Sequence, residues 1–329
     1  MSVGISPRQP LTAFARFARE LEENGAGRLW LIDSQLAMKD VYIGLALAAL
    51  NTKKIRLGTG VTNPLTRHPT VTANAVAAVS ELSDGRAVLG LGAGDSAVYG
   101  LGWKPARVKE VEAALRFFRS VLDGSEGEWE GRSYRLPHVA AAAPVYLAAS
   151  QERMCRLGGR LADGVILMGP ADPGFVRQQV EWVETGIREA GRQRKDVDVS
   201  LVVTLSAQVD RAQALDDVRS WASTEARLIA DFAHFPAGLR PYEAEIRRAK
   251  ETYDYSQHLS THAEHRSSVS DDLTAALAVA GTPDECGRRL AGLMAAGVDG
   301  CIFPLLGGGR IERLRVIRDE VLPAAVTAP

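Results

Sequence analysis

Two carboxylates, Asp33 and Asp95, stand among small polar residues and glycines at the ends of short apolar runs. Asp33 opens Asp33-Ser34-Gln35, and Asp95 closes Gly90-Leu91-Gly92-Ala93-Gly94-Asp95. A carboxylate in such a place can cap a helix, clamp backbone or move a proton. Equivalent positions hold Ser6 and Arg8, then Thr62, Asn63, Thr66, Arg67 and His68, then Ser96 and Tyr99, and then Ser150, Gln151 and Arg153. Gly169-Pro170 and Gly307-Gly308-Gly309-Arg310 complete the set. No GxSxG elbow, HExxH motif or Walker loop occurs. The set is poor in strong acid–base groups and rich in glycine. That combination suits a cleft where backbone approaches a large planar cofactor that brings its own chemistry. Glycines at strand ends are also plain turn residues, and composition alone leaves that reading open.

These residues can meet only if the chain stacks its strands in parallel. Short apolar runs at Val3–Ile5, Arg28–Ile32, Lys54–Val61, Ala87–Leu91, Val145–Ala148, Val165–Met168, Val199–Val209 and Val298–Phe303 alternate with amphipathic stretches. Leu11, Phe14, Ala15, Ala18 and Leu21 have helical spacing. Asp172-Pro173 and Thr282-Pro283-Asp284-Glu285 read as helix starts, and Asp210 with Gln213 as a capping box. Glu128–Tyr134 reads as a hairpin inserted between helix and strand. Eight strands alternating with helices predict an α/β fold, a (β/α)8 TIM barrel whose site lies at the strand C-termini. An open doubly wound sheet needs a GxGxxG just after an early strand. The nearest candidate, Gly90–Asp95, follows the fourth strand and lacks the last glycine. The expectation is one domain over 1–329, with the largest insertion, 220–271, before strand eight.

Of the 329 residues, 46% are apolar and 24% charged, with 39 basic against 40 acidic side chains. A net charge of −1 gives no field that would draw nucleic acid or a membrane surface. The most apolar run, Val41–Leu50, is about half of the ~20 residues that a membrane span needs. The N-terminal residues lack a basic segment followed by an apolar one, so no signal peptide is expected. Cys155, Cys286 and Cys301 show no metal-like spacing, which fits a reducing, cytoplasmic compartment.

Gly58-Thr59-Gly60-Val61-Thr62-Asn63-Pro64-Leu65-Thr66-Arg67-His68-Pro69 resembles the bacterial luciferase-like superfamily, as does the run Glu81–Asp95. Within it, the likeness is to the coenzyme F420-dependent methylenetetrahydromethanopterin reductases. It continues through Leu161-Ala162-Asp163-Gly164-Val165 and Gly281-Thr282-Pro283-Asp284-Glu285, in the same order along almost the whole chain. The resemblance implies a flavin or 5-deazaflavin at the strand C-termini, its ring against the end of strand three. It implies a non-proline cis peptide at Gly60–Val61; an ordinary β-bulge is the alternative. Thr62 and Asn63 would lie at the ring edge, Asp33 and Ser34 on the strand-two side, and Gly92, Gly94 and Asp95 on the strand-four side, with Gly169 after strand six. Asp33 and Asp95 are the candidate catalytic groups. Ser150, Gln151 and Arg153, where a helix N-terminus meets a guanidinium, suit the cofactor phosphate.

Two departures matter. Ser6 stands where the reductases carry a glutamate, and Ser34 where many relatives carry a histidine. The substrate pocket is expected to involve Ser6 together with Phe232, Tyr255, His258 and His262 from the insertion. His258, His262 and His265 would approach one face of a helix, but the chemistry needs no metal and none is expected. The expected activity is hydride transfer between F420 and a small organic substrate. The alternatives are a monooxygenase that uses reduced FMN and oxygen, fed by a separate flavin reductase, and a non-catalytic flavin-binding paralogue. The missing acids leave F420 and FMN both open. A homodimer or homotetramer is implied by resemblance, with the apolar Val41–Leu50 helix suited to an interface.

Overall fold

The computed structural model describes residues 1–260, 262 and 264–327. Its strands are β1 (Ser2–Ile5), β2 (Arg28–Leu31), β3 (Arg56–Thr59), β4 (Ala87–Leu91), β5 (Gly127–Trp129), β6 (Arg132–Tyr134), β7 (Val145–Ala149), β8 (Gly164–Leu167), β9 (Asp198–Val202), β10 (Leu205–Ala207), β11 (Val279–Gly281) and β12 (Gly300–Pro304). Eight of them form a closed barrel in the order β1-β12-β9-β8-β7-β4-β3-β2, as the alternating pattern predicts. The pairs are parallel and in simple register: Val3 faces Leu29, Leu29 faces Leu57, and Leu57 faces Ala87.

Helices join the strands. α1 (Leu11–Glu23) buries Phe14, Ala18 and Leu21, the face that its spacing predicts. α2 (Val41–Asn51) starts at Asp40, whose carboxylate accepts from Tyr42 N at 2.9 Å and Ile43 N at 3.0 Å. Those bonds satisfy donors that a helix start leaves open. α3 (Pro69–Leu82) starts with proline after His68. α4 (Ser96–Tyr99) is one turn, followed by α5 (Val108–Leu122) and α6 (Glu152–Leu161). α7 (Pro173–Glu189) begins as expected at Asp172, which accepts from Gly174 N at 2.7 Å. The Glu128–Tyr134 hairpin is present as β5 and β6, and its turn residues Glu130 and Gly131 both have positive φ.

Two compact units can be described. One comprises Ser2–Ile166 and Trp182–Asp198; the other comprises Met1, Leu167–Glu181 and Val199–Pro329. The predicted seventh strand, Val199–Val209, is divided in two. β9 stays in the barrel, while β10 pairs with β11 in a separate two-stranded parallel sheet. The apolar run continues without a break, so composition does not show where the partner changes. α8 (Arg211–Ile229) opens on Asp210, which accepts from Ala212 N at 2.9 Å. Gln213 does not complete the expected capping box; its amide donates to Asp217 at 3.1 Å. Across 220–271 lie the end of α8, α9 (Glu243–Glu251), several 3-10 turns and the first residue of α10 (Asp271–Leu277).

Candidate functional site

The ends of β3 and β4 are stitched together by backbone. Thr62 N donates to Gly90 O at 2.9 Å and Gly92 N to Thr62 O at 2.8 Å. The Thr59 hydroxyl donates to Gly90 O at 2.8 Å and accepts from Gly90 N at 2.9 Å. A Cβ on Gly90 would lie 2.1 Å from Thr59 O, so no other residue permits this approach. Gly94 has φ +98°, and a Cβ there would meet Val98 at 2.4 Å. The Gly60–Val61 peptide is cis, as the family resemblance implies.

Asp33 sits beside this seam, and its burial demands a counter-charge. The Thr62 hydroxyl donates to its Oδ2 at 2.7 Å. Arg67 donates to the same oxygen at 2.6 Å and to Oδ1 at 3.3 Å. The same guanidinium reaches the Asp40 carboxylate at 3.2 Å and covers the Tyr42 ring at 5.1 Å. Burial alone would lower the Arg67 pKa; the bond to Asp33 and the charges of Asp33, Tyr42 and Asp40 outweigh it and raise it. The Tyr42 phenol is pushed up to about 12, first by burial and then by the negative Asp33. The Asp33–Arg67 pair therefore ties the loops after β2 and β3 to the start of α2.

Ser34 and Ser96 share a buried hydroxyl contact of 2.9 Å. Gln35 donates to Ala97 O at 2.7 Å. The Asn63 side-chain oxygen accepts from Leu65 N and Thr66 N, both at 3.0 Å, so it clamps its own loop. Asp95 is half-buried at the start of α4, after the turn at Gly94. Gln151 occupies the N-cap position of α6 without a side-chain cap, and Arg153 in the first turn is exposed. The Ser6 hydroxyl at the end of β1 is buried and has no hydrogen-bond partner among the described residues.

A planar cofactor fits this chemistry on one observation: the buried Ser6 hydroxyl lacks a hydrogen-bond partner among the described residues. The glycines of the β3–β4 seam are accounted for by close approach of the chain's own Trp30, Thr59, Val61 and Val98. Val61, Thr62, Asn63, Ser34, Gly60, Gly92 and Gly94 are the residues that would hold the ring.

The other unit holds the remaining expected residues. At Gly169 a Cβ would lie 2.8 Å from the Phe175 ring, so close packing on α7 accounts for this glycine. Phe232 stacks on Phe175 with centroids 6.0 Å apart. His258 is buried, and its Nδ1 lies 2.6 Å from the Tyr253 hydroxyl, which also meets the Thr224 hydroxyl at 2.9 Å. The Arg227 guanidinium covers the rings of Tyr253 and Tyr255. His265 is buried against Tyr253 at 4.2 Å, and burial lowers its pKa. His262 is exposed. Among the described residues, short 3-10 turns at Tyr255–Gln257 and Glu264–Ser268 stand in place of the expected helix, so the histidines do not share a helix face. Among the described residues, no three His, Cys, Asp or Glu side chains are grouped to hold a metal ion.

Sequence reasoning counted Arg67 among the loop polar groups but gave it no role. The signal was available, since a buried Asp33 needs a cation. The sequence also offers Arg8 after strand one, and the folded loop after β3 brings Arg67 to Asp33. Thr224, Arg227 and Tyr253 were also missed, because nothing in their spacing announces a buried cluster.

Comparison with known proteins agrees with the geometry. A model of the luciferase-like monooxygenase family matches residues 2–300. The chain is 30% identical to a 5,10-methylenetetrahydromethanopterin reductase of Methanolobus tindarius, over 98% of this chain and all of that one. It is 31% identical to an F420-dependent glucose-6-phosphate dehydrogenase of Nakamurella multipartita, over 54% of this chain and 57% of that one. The fold matches the coenzyme F420-dependent tetrahydromethanopterin reductase of Methanopyrus kandleri with a TM-score of 0.79, at 23% identity, over 98% of both chains. With the glycine-lined seam, the anchored Asp33 and an end-to-end match all in agreement, the chain belongs to the luciferase-like monooxygenase family.

Proposed function

We propose that this chain is an oxidoreductase that uses coenzyme F420 to transfer a hydride to or from a carbon of a small organic substrate. The observation that carries this reading is the full-length 30% identity to a methylenetetrahydromethanopterin reductase. The second relative, named as F420-dependent, supports the same cofactor. F420 and FMN stand level on the motifs alone; these relatives weigh towards F420.

When bound, reduced F420 supplies a hydride from its ring. The chain supplies position. Arg67 holds the Asp33 carboxylate in place, and Asp33 in turn holds Thr62 at the seam where the ring would rest. Asp33 thus acts through Thr62 rather than as a proton donor. Asp95, half-buried and outside that ion pair, is the group we assign to proton transfer. Ser150, Gln151 and Arg153 at the start of α6 take the phosphate role, because a helix N-terminus offers unpaired N–H groups. Ser6 in place of a glutamate and Ser34 in place of a histidine argue for a substrate other than the pterin of the reductases. The working species in this reading is a homo-oligomer.

Anaerobic titration with reduced F420 and reduced FMN tests the proposal. Tight binding of F420 with turnover of a carbonyl or alcohol panel is the expected result. Binding of FMN alone would move the assignment to an oxygen-using monooxygenase fed by a flavin reductase. F420 binding without turnover across a broad panel would favour a non-catalytic paralogue. Binding of neither would overturn the cofactor assignment.

A further inference from the structure

Trp30 lies in β2 between Leu29 and Leu31. Side chains alternate along a strand, and Leu31 reaches α2, where a Cβ on Gly44 would lie 2.9 Å from its Cδ1. Trp30 therefore points the other way, into the barrel. Barrel interiors are ordinarily filled by layers of branched side chains. Here the register sets aromatics against glycines: Trp30 faces Gly58, and Tyr146 faces Gly90. A Cβ would meet the Trp30 side chain at 2.6 Å from Gly58, 2.7 Å from Gly60 and 3.1 Å from Gly90. The glycines of β3, its end and β4 thus close on one side chain. That side chain is locked from the strand starts. Its ring meets Tyr146 edge-on with centroids 5.4 Å apart, and Arg28 covers both rings. Asp198 accepts from Arg28 at 3.0 Å and from the Tyr146 hydroxyl at 2.7 Å. The Trp30 indole N–H is buried without a hydrogen-bond partner among the described residues. A smaller apolar residue would avoid that cost, so what β2 keeps is the span of the double ring.

We propose that Trp30 is a positioning residue for the cofactor ring, acting through Gly60 and Val61. Both of those residues are half-buried, whereas Trp30 is buried. Gly60 lies directly against the Trp30 Cβ, so the height of the β3 end follows the tryptophan. Val61 in turn presses on β4, since a Cβ on Gly90 or Gly92 would lie 3.0 or 2.8 Å from its methyls. A shift of the indole therefore moves both sides of the seam, and with them Thr62 and its bond to Asp33. Interiors packed this closely transmit displacement rather than absorb it. A core filler would contribute stability alone; a positioning residue makes affinity depend on its shape. This inference rests on the F420 reading above.

F420 titration of the full chain and its variants, alongside thermal melting, tests it. Trp30→Leu should raise the F420 Kd about tenfold, and Trp30→Phe should retain part of the affinity. Gly58→Ala alone collides with the indole and should lose both stability and binding. Combined with Trp30→Leu, it meets no indole. The double variant should then melt with Trp30→Leu while its binding stays weak. A core filler predicts instead that binding returns with stability. A second measurement does not depend on Trp30→Leu folding. In protein labelled with 15N at the indoles, the Trp30 signal is the one missing from Trp30→Phe. It should shift on F420 binding, while that of Trp129 on the β5–β6 hairpin stays still. Wild-type affinity in folded Trp30→Leu, or an unmoved Trp30 signal in F420-saturated protein, would overturn this proposal alone. A wild type that binds no F420 would overturn the cofactor assignment and this proposal with it.

Discussion

Arg67 donates to both oxygens of Asp33, Nη1 to Oδ2 at 2.6 Å and Nη2 to Oδ1 at 3.3 Å, and so joins the loop after β3 to the loop after β2. Asp33 is almost wholly buried, while Arg67 keeps a fifth of its side chain in solvent. Removing one partner of such a pair leaves a buried charge, at a cost of roughly 3 kcal/mol. Arg67→Met should lower thermal stability and weaken cofactor binding together. Arg67→Lys should recover part of both, since an ammonium cannot donate to both oxygens with the same fork. Asp33→Asn combined with Arg67→Met should be more stable than Arg67→Met alone. If the double variant were the worse of the two, Asp33 would have another cationic partner.

The glycines at the β3–β4 seam give a graded test. Gly90→Ala forces a Cβ to within 2.1 Å of Thr59 O, which is backbone and cannot step aside. Gly102 has φ +72° but nothing within 4 Å of a Cβ. Gly102→Ala should therefore cost only about 1 kcal/mol, the conformational penalty alone. Gly90→Ala should cost several times as much and should abolish cofactor binding in whatever fraction still folds. Equal melting temperatures for the two variants would show that the seam relaxes freely.

His265 makes the stability of the insertion pH-dependent. Burial lowers its folded pKa below 6.5, Arg227 adds to the effect and Asp254 opposes it. The unfolded chain therefore binds a proton that the folded one resists. No penalty applies well above pH 6.5; as pH falls through that value the folded state loses stability, and the loss levels off below the lowered folded pKa. Hydrogen exchange over 253–268 should be slower at pH 8 than at pH 5.5, after correction for intrinsic rates. His265→Gln should flatten that difference. A His265 ring titrating at or above 6.5 by NMR would contradict the sign.

Much of the barrel was legible because it rests on local chemistry. Asp172 and Thr282 cap the helices that their motifs announce. All eight barrel strands fall on predicted apolar runs. What local chemistry does not encode was missed. The run Val199–Val209 changes partners halfway without changing composition. Asp33 was legible as a polar residue at a strand end, but not its capture by Arg67, because pairing across 34 positions depends on how two loops fold. The histidines of the insertion have helical spacing, yet Tyr253 draws His258 and His265 inward while His262 faces solvent.

The Tyr253 hydroxyl is the hinge of that insertion cluster, since it meets both Thr224 Oγ1 at 2.9 Å and His258 Nδ1 at 2.6 Å. Tyr253→Phe keeps the ring, its contact with His265 and the cover of Arg227, but removes a buried hydroxyl with two hydrogen-bond contacts. Leaving buried polar groups without a partner costs about 1–3 kcal/mol. The variant should therefore melt earlier by an amount in that range. Thr224→Val removes that shared contact and the Thr224 bond to Ser220 O at 3.2 Å, while the Tyr253 hydroxyl can still engage His258. Adding Thr224→Val to Tyr253→Phe should cost less than Thr224→Val does alone, since their shared bond is already gone. Purely additive losses in this cycle would mean that the two hydroxyls act separately, and that the cluster is held by ring stacking rather than by its hydrogen bonds.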